Sequence, residues 1–383
     1  MDVSKGLDTR TLTLDGTSLN TGWSTDEKVY VFKSDVLVGT LSPTTASSTA
    51  TASMSGTLEG NSWNTGDQVY LRFPREEVDY TGQDGTLETI AQKYDYAEVN
   101  ASVKSVTGTK VVLFNAGLTT KQAIVKFTFP MNILMMSVYA PTMDEPIIVK
   151  PAAATKTVYA AIPLAQNNTA ADYVVTTMGS DYQMYYMKKT GVKMANGKYY
   201  TCSATMTSRT WVDLGLSVNW CSHNAGTQYL NERGTQVAWG ETAEKTEYTL
   251  DNYKWYNTST QKYTKYVTAS TYGTVDNRTT LLQSDDAAYK YLAGSHMPTK
   301  TEAEELNSSN VFCQRFYTGG NGYYVVTSKK SGYEGQAIIF LEGWSMWTST
   351  LGTTTPYAYR FNVGGVLSSV RHTEWSVRPV KSK

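Results

Sequence analysis

The feature that most constrains the fold of this chain is a stretch of eight residues that occurs twice. Trp23-Ser-Thr-Asp-Glu-Lys-Val29-Tyr30 returns as Trp63-Asn-Thr-Gly-Asp-Gln-Val69-Tyr70, a shared Trp-x-Thr-x-acid-x-Val-Tyr pattern. Asp bonds its own backbone and Gly tolerates positive φ, so each copy reads as a polar turn feeding a strand. Beyond the turn, Val29 and Val31, then Val69, Leu71 and Phe73, alternate with polar residues at the period of two of a half-buried strand.

The same period runs through much of the chain. Residues 102–114 read as a hairpin around Thr107-Gly108. Ala123, Val125, Phe127 and Phe129 face one way, Gln122, Lys126 and Thr128 the other. Strands are expected at 156–164, 172–178, 182–188, 323–328, 337–341, 358–363 and 375–380. Asn196-Gly197 predicts a hairpin turn, after which Tyr200, Cys202, Ala204 and Met206 share a face, making Cys202 a buried core thiol. Three short helices are expected. One follows Thr86 as cap, with Leu87, Ile90 and Ala91 at helical spacing. A second covers 285–292 under Ser284. The third covers 300–307 behind a Thr299/Glu302 capping box. The fold class is therefore mainly β.

Length and charge bound the function. At roughly 150 residues per domain, 383 residues make two or three domains. Thirty-four basic residues cancel 34 acidic ones. With no basic block there is neither the cation cluster that nucleic-acid binding needs nor steering toward an acidic partner. Three Cys exclude a disulfide scaffold and a cysteine-caged metal. Met1-Asp2-Val3 opens on a charge, so the chain is expected to carry no secretion signal, as in a mature fragment. The most apolar run, 127–140, is broken by Pro130 and Asn132 and is too short to span a bilayer. A soluble chain is expected. Composition shifts near 207: seven of the nine Trp and all three His lie beyond it. Breaks are therefore expected near 120 and 207.

Residues 1–206 resemble the fimbrillin-like subunits of protease-assembled fimbriae. The residues that carry the resemblance are Trp63-Asn-Thr-Gly-Asp-Gln-Val-Tyr, Tyr80-Thr-Gly-Gln-Asp-Gly-Thr-Leu-Glu-Thr-Ile-Ala-Gln-Lys-Tyr-Asp-Tyr, Ala123-Ile-Val-Lys-Phe and Asn196-Gly-Lys-Tyr-Tyr. Residues 208–383 resemble the Fibrobacter succinogenes major paralogous domain of surface proteins. There the carriers are Trp211-Val-Asp-Leu-Gly-Leu-Ser-Val-Asn-Trp-Cys, Ala238-Trp-Gly-Glu-Thr, Asp285-Asp-Ala-Ala, Met297-Pro-Thr-Lys-Thr-Glu, Trp347-Thr-Ser-Thr and Ser376-Val-Arg-Pro-Val. The resemblances imply two tandem transthyretin-like β-sandwiches, 1–119 and 120–207, followed by an α+β domain similar to C-type lectins over 208–383. They also imply strand exchange between subunits after a protease cuts at a basic residue. Arg10, beside the strand-like Thr-Leu-Thr-Leu, is the candidate cleavage site; an ordinary first strand with an exposed Arg is the other reading.

Catalytic signals are sparse. No Gly-x-Ser-x-Gly elbow exists, and Gly343-Trp-Ser-Met-Trp fails at its last position. No pattern selects a triad around His223, His296 or His372. Gly191-Val-Lys-Met-Ala-Asn-Gly-Lys-Tyr has one residue too many between its glycines for a phosphate loop, and Tyr199 replaces the Mg²⁺-binding hydroxyl. Cys221-Ser-His223 has no second pair at finger spacing. The Glu-Pro-Asn and Gln-Pro-Asp triplets of calcium-dependent lectins are absent. Cys313, among apolar neighbours, and Cys221 read as structural, their pairing left open. The acids Asp285, Asp286, Glu302, Glu304 and Glu305 open helices, where the dipole favours them. The best lead is aromatic: Trp344, Trp347 and Tyr357 lie among hydroxyl residues, a mixture suited to sugar rings, although a spacing of three leaves open which Trp faces water.

These readings lead to a non-enzymatic fimbrial tip or accessory adhesin, at the cell surface or outer membrane, with no cofactor or metal. Its partners would be other fimbrial subunits and a host or bacterial surface glycan or protein. A glycan-handling enzyme, a carbohydrate-binding accessory and a purely structural surface protein are the alternatives.

Overall fold

The computed structural model describes residues 22–49, 51–60 and 62–383, together with the backbone of the strands Asp2–Ser4, Thr13–Asp15 and Ser18–Asn20. Strands take 46% of the chain and helices 7%, far from the ordinary mixture, so the protein is mainly β with several antiparallel sheets. Among the described residues no helix is long and apolar enough to cross a membrane. The chain divides into two compact units. The first comprises Met1–Asn132, Ala140–Tyr173 and Lys189–Thr205; the second comprises Ile133–Tyr139, Val174–Lys188 and Met206–Lys383.

In the first unit the repeated pattern builds the middle of a sheet. Val29–Lys33 and Gln68–Phe73, the two strands that follow the repeats, are antiparallel neighbours, with Tyr30 opposite Arg72. The turns before them share one device. Glu27 accepts the Ser24 amide at 2.7 Å, and Asp67, its counterpart, accepts the Asn64 amide at 3.1 Å. Each acid thus fixes the turn two residues before the first Val of its strand, Val29 or Val69. Val29, Val31, Val69, Leu71 and Phe73 all reach the core, where Trp23 meets the Phe73 ring edge-on at 5.8 Å. The expected hairpin pairs Ala97–Thr107 with Lys110–Phe114.

The 80–96 segment is stringent because it fits its surroundings at several points. Gln83 is buried; its amide donates to the Tyr80 and Ala161 carbonyls and accepts the Ala161 amide. Gly85 has φ +81°, and a Cβ there would press on Val149 and Val158 at 3.0 Å, so position and conformation both require Gly. Thr86 then caps the helix Leu87–Thr89, which passes into a π-turn, Ile90–Tyr94, that buries Ile90, Ala91 and Tyr94.

Two expectations fail in this unit. The turn at Asn196-Gly197 forms, but it makes no hairpin: Tyr199–Ser203 runs parallel to residues 124–128 instead. Cys202 is half-buried rather than a core thiol, since no residue of its strand is fully enclosed.

The second unit holds small sheets around a Trp-rich core. One sheet orders Gln236–Val237, Trp375–Ser376, Met346–Leu351, Tyr357–Asn362 and Gly365–Val370; another pairs Val311–Thr318, Asn321–Ser328 and Ala337–Leu341. Trp239, Tyr266, Met297, Trp347 and the small Ala287 and Ala288 make one cluster. Trp220 packs edge-on against Phe340 and Phe361 at 5.9 and 5.6 Å. The single strand expected at 375–380 is two, Trp375–Ser376 and Val380–Ser382, in different sheets. Pro379, with no N–H for a ladder, separates them. The three cysteines are free thiols. Cys313 is exposed because alternation turns positions 313, 315 and 317 outward, while Phe316 faces in.

Candidate functional site

The structure separates the aromatic residues singled out in the sequence. Trp347 is fully buried, and its indole N–H donates to the Val237 carbonyl at 2.8 Å. It has no surface to offer a ligand; a residue expected at a binding face is part of the core. Trp344 is half-buried under the Arg233 guanidinium, 4.6 Å from its ring. Tyr357 is 40% exposed at the start of its strand, opposite Val370. Arg10 lies outside the described residues. Two residues before Trp344, Glu342 pairs with Arg315 at 2.5 Å and accepts the Tyr324 hydroxyl at 3.3 Å. Arg315 also covers the exposed Tyr317 ring at 4.4 Å. This surface is aromatic and charged, with its carboxylate already paired.

A second feature, a concave one, is built on the strand Met346–Leu351. On one side, the Leu281 amide donates to the Ser349 carbonyl at 2.9 Å and the Leu351 amide to the Thr279 carbonyl at 2.8 Å. On the other, the Ser349 amide donates to the Pro298 carbonyl at 2.8 Å, and the Lys300 amide to Thr350 Oγ1 at 3.0 Å. Between these flanks and the helix Ala287–Tyr291 a cleft of about 350 Å³ opens. Thr280, Gln283, Asp286, His296 and Ser349 supply polar lining, and the ring of Tyr289, 40% exposed, stands among them.

Asp286 shapes this cleft. The helix expected over 285–292 under Ser284 is a 3₁₀ turn, Gln283–Asp285, followed by Ala287–Tyr291 capped by Asp286. Asp286 takes the cap because one carboxylate serves two chain segments. It accepts the Ala288 and Tyr289 amides and, from eleven residues further on, the Met297 amide at 2.9 Å. Burial pushes its carboxyl above the usual range against the pull of those amides. Neighbouring Asp285 turns away to bond Lys265 and the Tyr266 hydroxyl.

His296 lines the same cleft and reaches Glu302 at 3.4 Å. The capping box expected there is present: Thr299 accepts the Glu302 amide, and Glu302 accepts the Thr299 amide at 2.7 Å. The Glu302 hydrogen bond raises the His296 pKa above its ordinary 6.5 despite burial. Burial alone would raise Glu302, but the bonds from His296 and the Thr299 amide outweigh it and hold the carboxyl low. A raised histidine contributes stability in full below about pH 6.5, and that contribution is lost as pH rises through the folded pKa. The expected stability difference between the protein and its His296→Gln variant therefore shrinks above pH 6.5. Its maximum is below about 1 kcal/mol for this partly exposed pair. Urea midpoints at pH 6 and pH 8.5 check it; a difference that grows with pH contradicts the assignment. His223 and His372, whose pKa values burial lowers, cancel in the comparison.

Among the described residues, no three His, Cys, Asp or Glu side chains gather as a metal site would require. Comparison with protein-family models, curated proteins and solved structures finds no match to this chain. The cleft had a partial signal in the sequence: the capping box marks Thr299 and Glu302, and His296 stands three residues earlier. Ser349 and Gln283 had none.

Proposed function

We propose that this chain is a non-enzymatic cell-surface adhesin of the fimbrial tip or accessory kind. The N-terminal half would be two transthyretin-like sandwiches that assemble with other subunits by strand exchange. The C-terminal part, similar to C-type lectins, would present the recognition surface to a glycan or protein. The observation that carries the reading is the state of the acids near the two candidate surfaces. Asp285, Asp286, Glu302 and Glu342 are each bonded to a cation, a histidine or backbone amides. General acid–base turnover needs a carboxyl within reach of the substrate and able to exchange its proton. Acids committed to structure beside aromatic rings suit holding a ligand rather than cleaving it.

The test presents the full chain multivalently to arrays of glycans and extracellular-matrix proteins, and in parallel incubates it with mixed polysaccharides. Multivalency is needed because a millimolar site is worth only about −4 kcal/mol, whereas many copies hold firmly. The expected result is retention on a defined surface with no release of sugar. Sugar release that disappears in Glu342→Gln would replace this reading with that of a glycan-handling enzyme.

A further inference from the structure

We infer that a second cavity, in the first unit, receives the basic side chain, arginine or lysine, of a partner protein. The inference stands apart from the adhesin reading, whose candidate surfaces belong to the second unit. The cavity holds about 240 Å³. Val78 and Tyr80, ahead of the helix Leu87–Thr89, line it with Tyr96 and with Pro163 and Leu164, where the strand Thr155–Pro163 ends. The neutral polar groups of this lining are already committed. The Tyr80 hydroxyl donates to Gln122 Oε1 at 2.8 Å, and the Tyr96 hydroxyl to Glu98 Oε2 at 2.6 Å. The Asn196 side chain closes on the backbone of Leu164, accepting its N–H at 3.1 Å and donating to its carbonyl at 3.2 Å. Lys121, the cation in the lining, is held by Glu98 at 2.6 Å. What remains is carboxylate. Asp144 is exposed and enters no ion pair among the described residues. Glu77, its side chain 76% exposed, meets Arg72 only at 3.6 Å, and that guanidinium also lies over the Phe32 and Tyr70 rings. These commitments select the occupant. A hydroxyl-rich group finds no free neutral partner, and an anion meets two carboxylates and a lysine already neutralised. An apolar group would strip water from the carboxylates with nothing in return. A basic side chain fits both parts: its aliphatic stem lies along the apolar and tyrosine lining while its charged head stays in water beside Glu77 and Asp144. The volume falls below the roughly 300–1,000 Å³ of small-molecule sites, so it suits one side chain presented by a protein.

The experiment uses the full chain and four probes: the N-acetyl methylamides of arginine, lysine, citrulline and glutamate. Citrulline keeps the shape of arginine without its charge. Saturation-transfer NMR titrations at low and raised sodium chloride read affinity, and thermal melts of the same samples read folding. The arginine or the lysine probe is expected to saturate in the millimolar range and to weaken as salt screens the carboxylates. Citrulline is expected to bind more weakly than arginine and glutamate not at all. Exposed ion pairs contribute about two- to fivefold each, so the double variant Glu77→Gln/Asp144→Asn should weaken the basic probe at least about fourfold. Ala165→Trp, which fills the cavity from an exposed position in its lining, should abolish binding. Glu77, Asp144 and Ala165 are all exposed, so the variants are expected to melt with the parent. If the tryptophan lowers the melt, the charge variant still decides. The inference is overturned if neither basic probe binds, if citrulline or glutamate binds as well, if the double variant keeps full affinity, or if binding survives in a folded Ala165→Trp chain, which would place the cation on open surface. The adhesin reading is tested on its own arrays and stands or falls separately.

Discussion

Replacing Arg371 with Met is expected to remove at least about 4 kcal/mol of stability from the C-terminal unit. Arg371 is fully buried, and none of the ion pairs among the described residues includes it. What holds it is a set of neutral acceptors. Nε donates to the Tyr253 hydroxyl at 2.9 Å, Nη1 to the Thr355 carbonyl at 3.0 Å and to the Tyr266 carbonyl at 3.3 Å, and Nη2 to the Lys265 carbonyl at 3.0 Å. The rings of Trp239, Tyr253, Tyr263 and Tyr266 surround the guanidinium at 4.9 to 5.7 Å. One side chain thus ties the 253–266 segment to the loop before Tyr357–Asn362. A Met of similar length fills the space but leaves four acceptors unpaired, at about 1–3 kcal/mol for each that stays buried. Partial relaxation gives the lower bound. Arg371→Lys is expected to recover only a minor share, because an ammonium cannot reproduce the planar fork. Urea unfolding of the full chain, followed by Trp fluorescence, measures both. A loss under about 1 kcal/mol for Met would mean that the cage is incidental. Arg378 follows the same design: burial pulls its pKa down only to about 10, so it stays charged at neutral pH while donating to the Cys221 and Ile339 carbonyls.

What the sequence made legible was local. The repeated turn, the Thr86 cap and the Thr299/Glu302 capping box each close within four residues, so side-chain chemistry and spacing fix them wherever the chain goes. Strand alternation was legible for the same reason. Failures begin where a partner comes from far along the chain. Asn196-Gly197 makes its turn, but whether the following strand folds back or crosses depends on residues 124–128, some 70 positions earlier. Asp286 displaces Ser284 as cap because Met297 adds a further bond. Arg371, between Val370 and His372, looks like any surface cation until the 253–266 segment closes over it. Such residues are invisible to a local reading, because what distinguishes them is the bond to a distant segment.

Trp344 and Trp347, three positions apart, are expected to respond to truncation in opposite ways. Trp347→Ala should cost about 3–5 kcal/mol, the usual range for an aromatic removed from a closed core. Its ring packs within the cluster of Trp239, Tyr266, Met297, Ala287 and Ala288, and its N–H is the partner of the Val237 carbonyl. Trp347→Phe keeps most of the volume and loses that bond, so it should recover all but about 1–3 kcal/mol. Trp344→Ala gives up a half-exposed face and the stacking of Arg233, worth about 0.5–1 kcal/mol at such a site. A gap of at least about 2 kcal/mol between the two alanine variants is therefore expected in urea unfolding of the full chain. Equal losses would show that Trp344 is as deeply held as Trp347. The contrast also decides how binding data are read. A ligand lost in Trp347→Ala reports a damaged core, whereas one lost in a folded Trp344→Ala variant places the ligand on the Arg233–Trp344 surface.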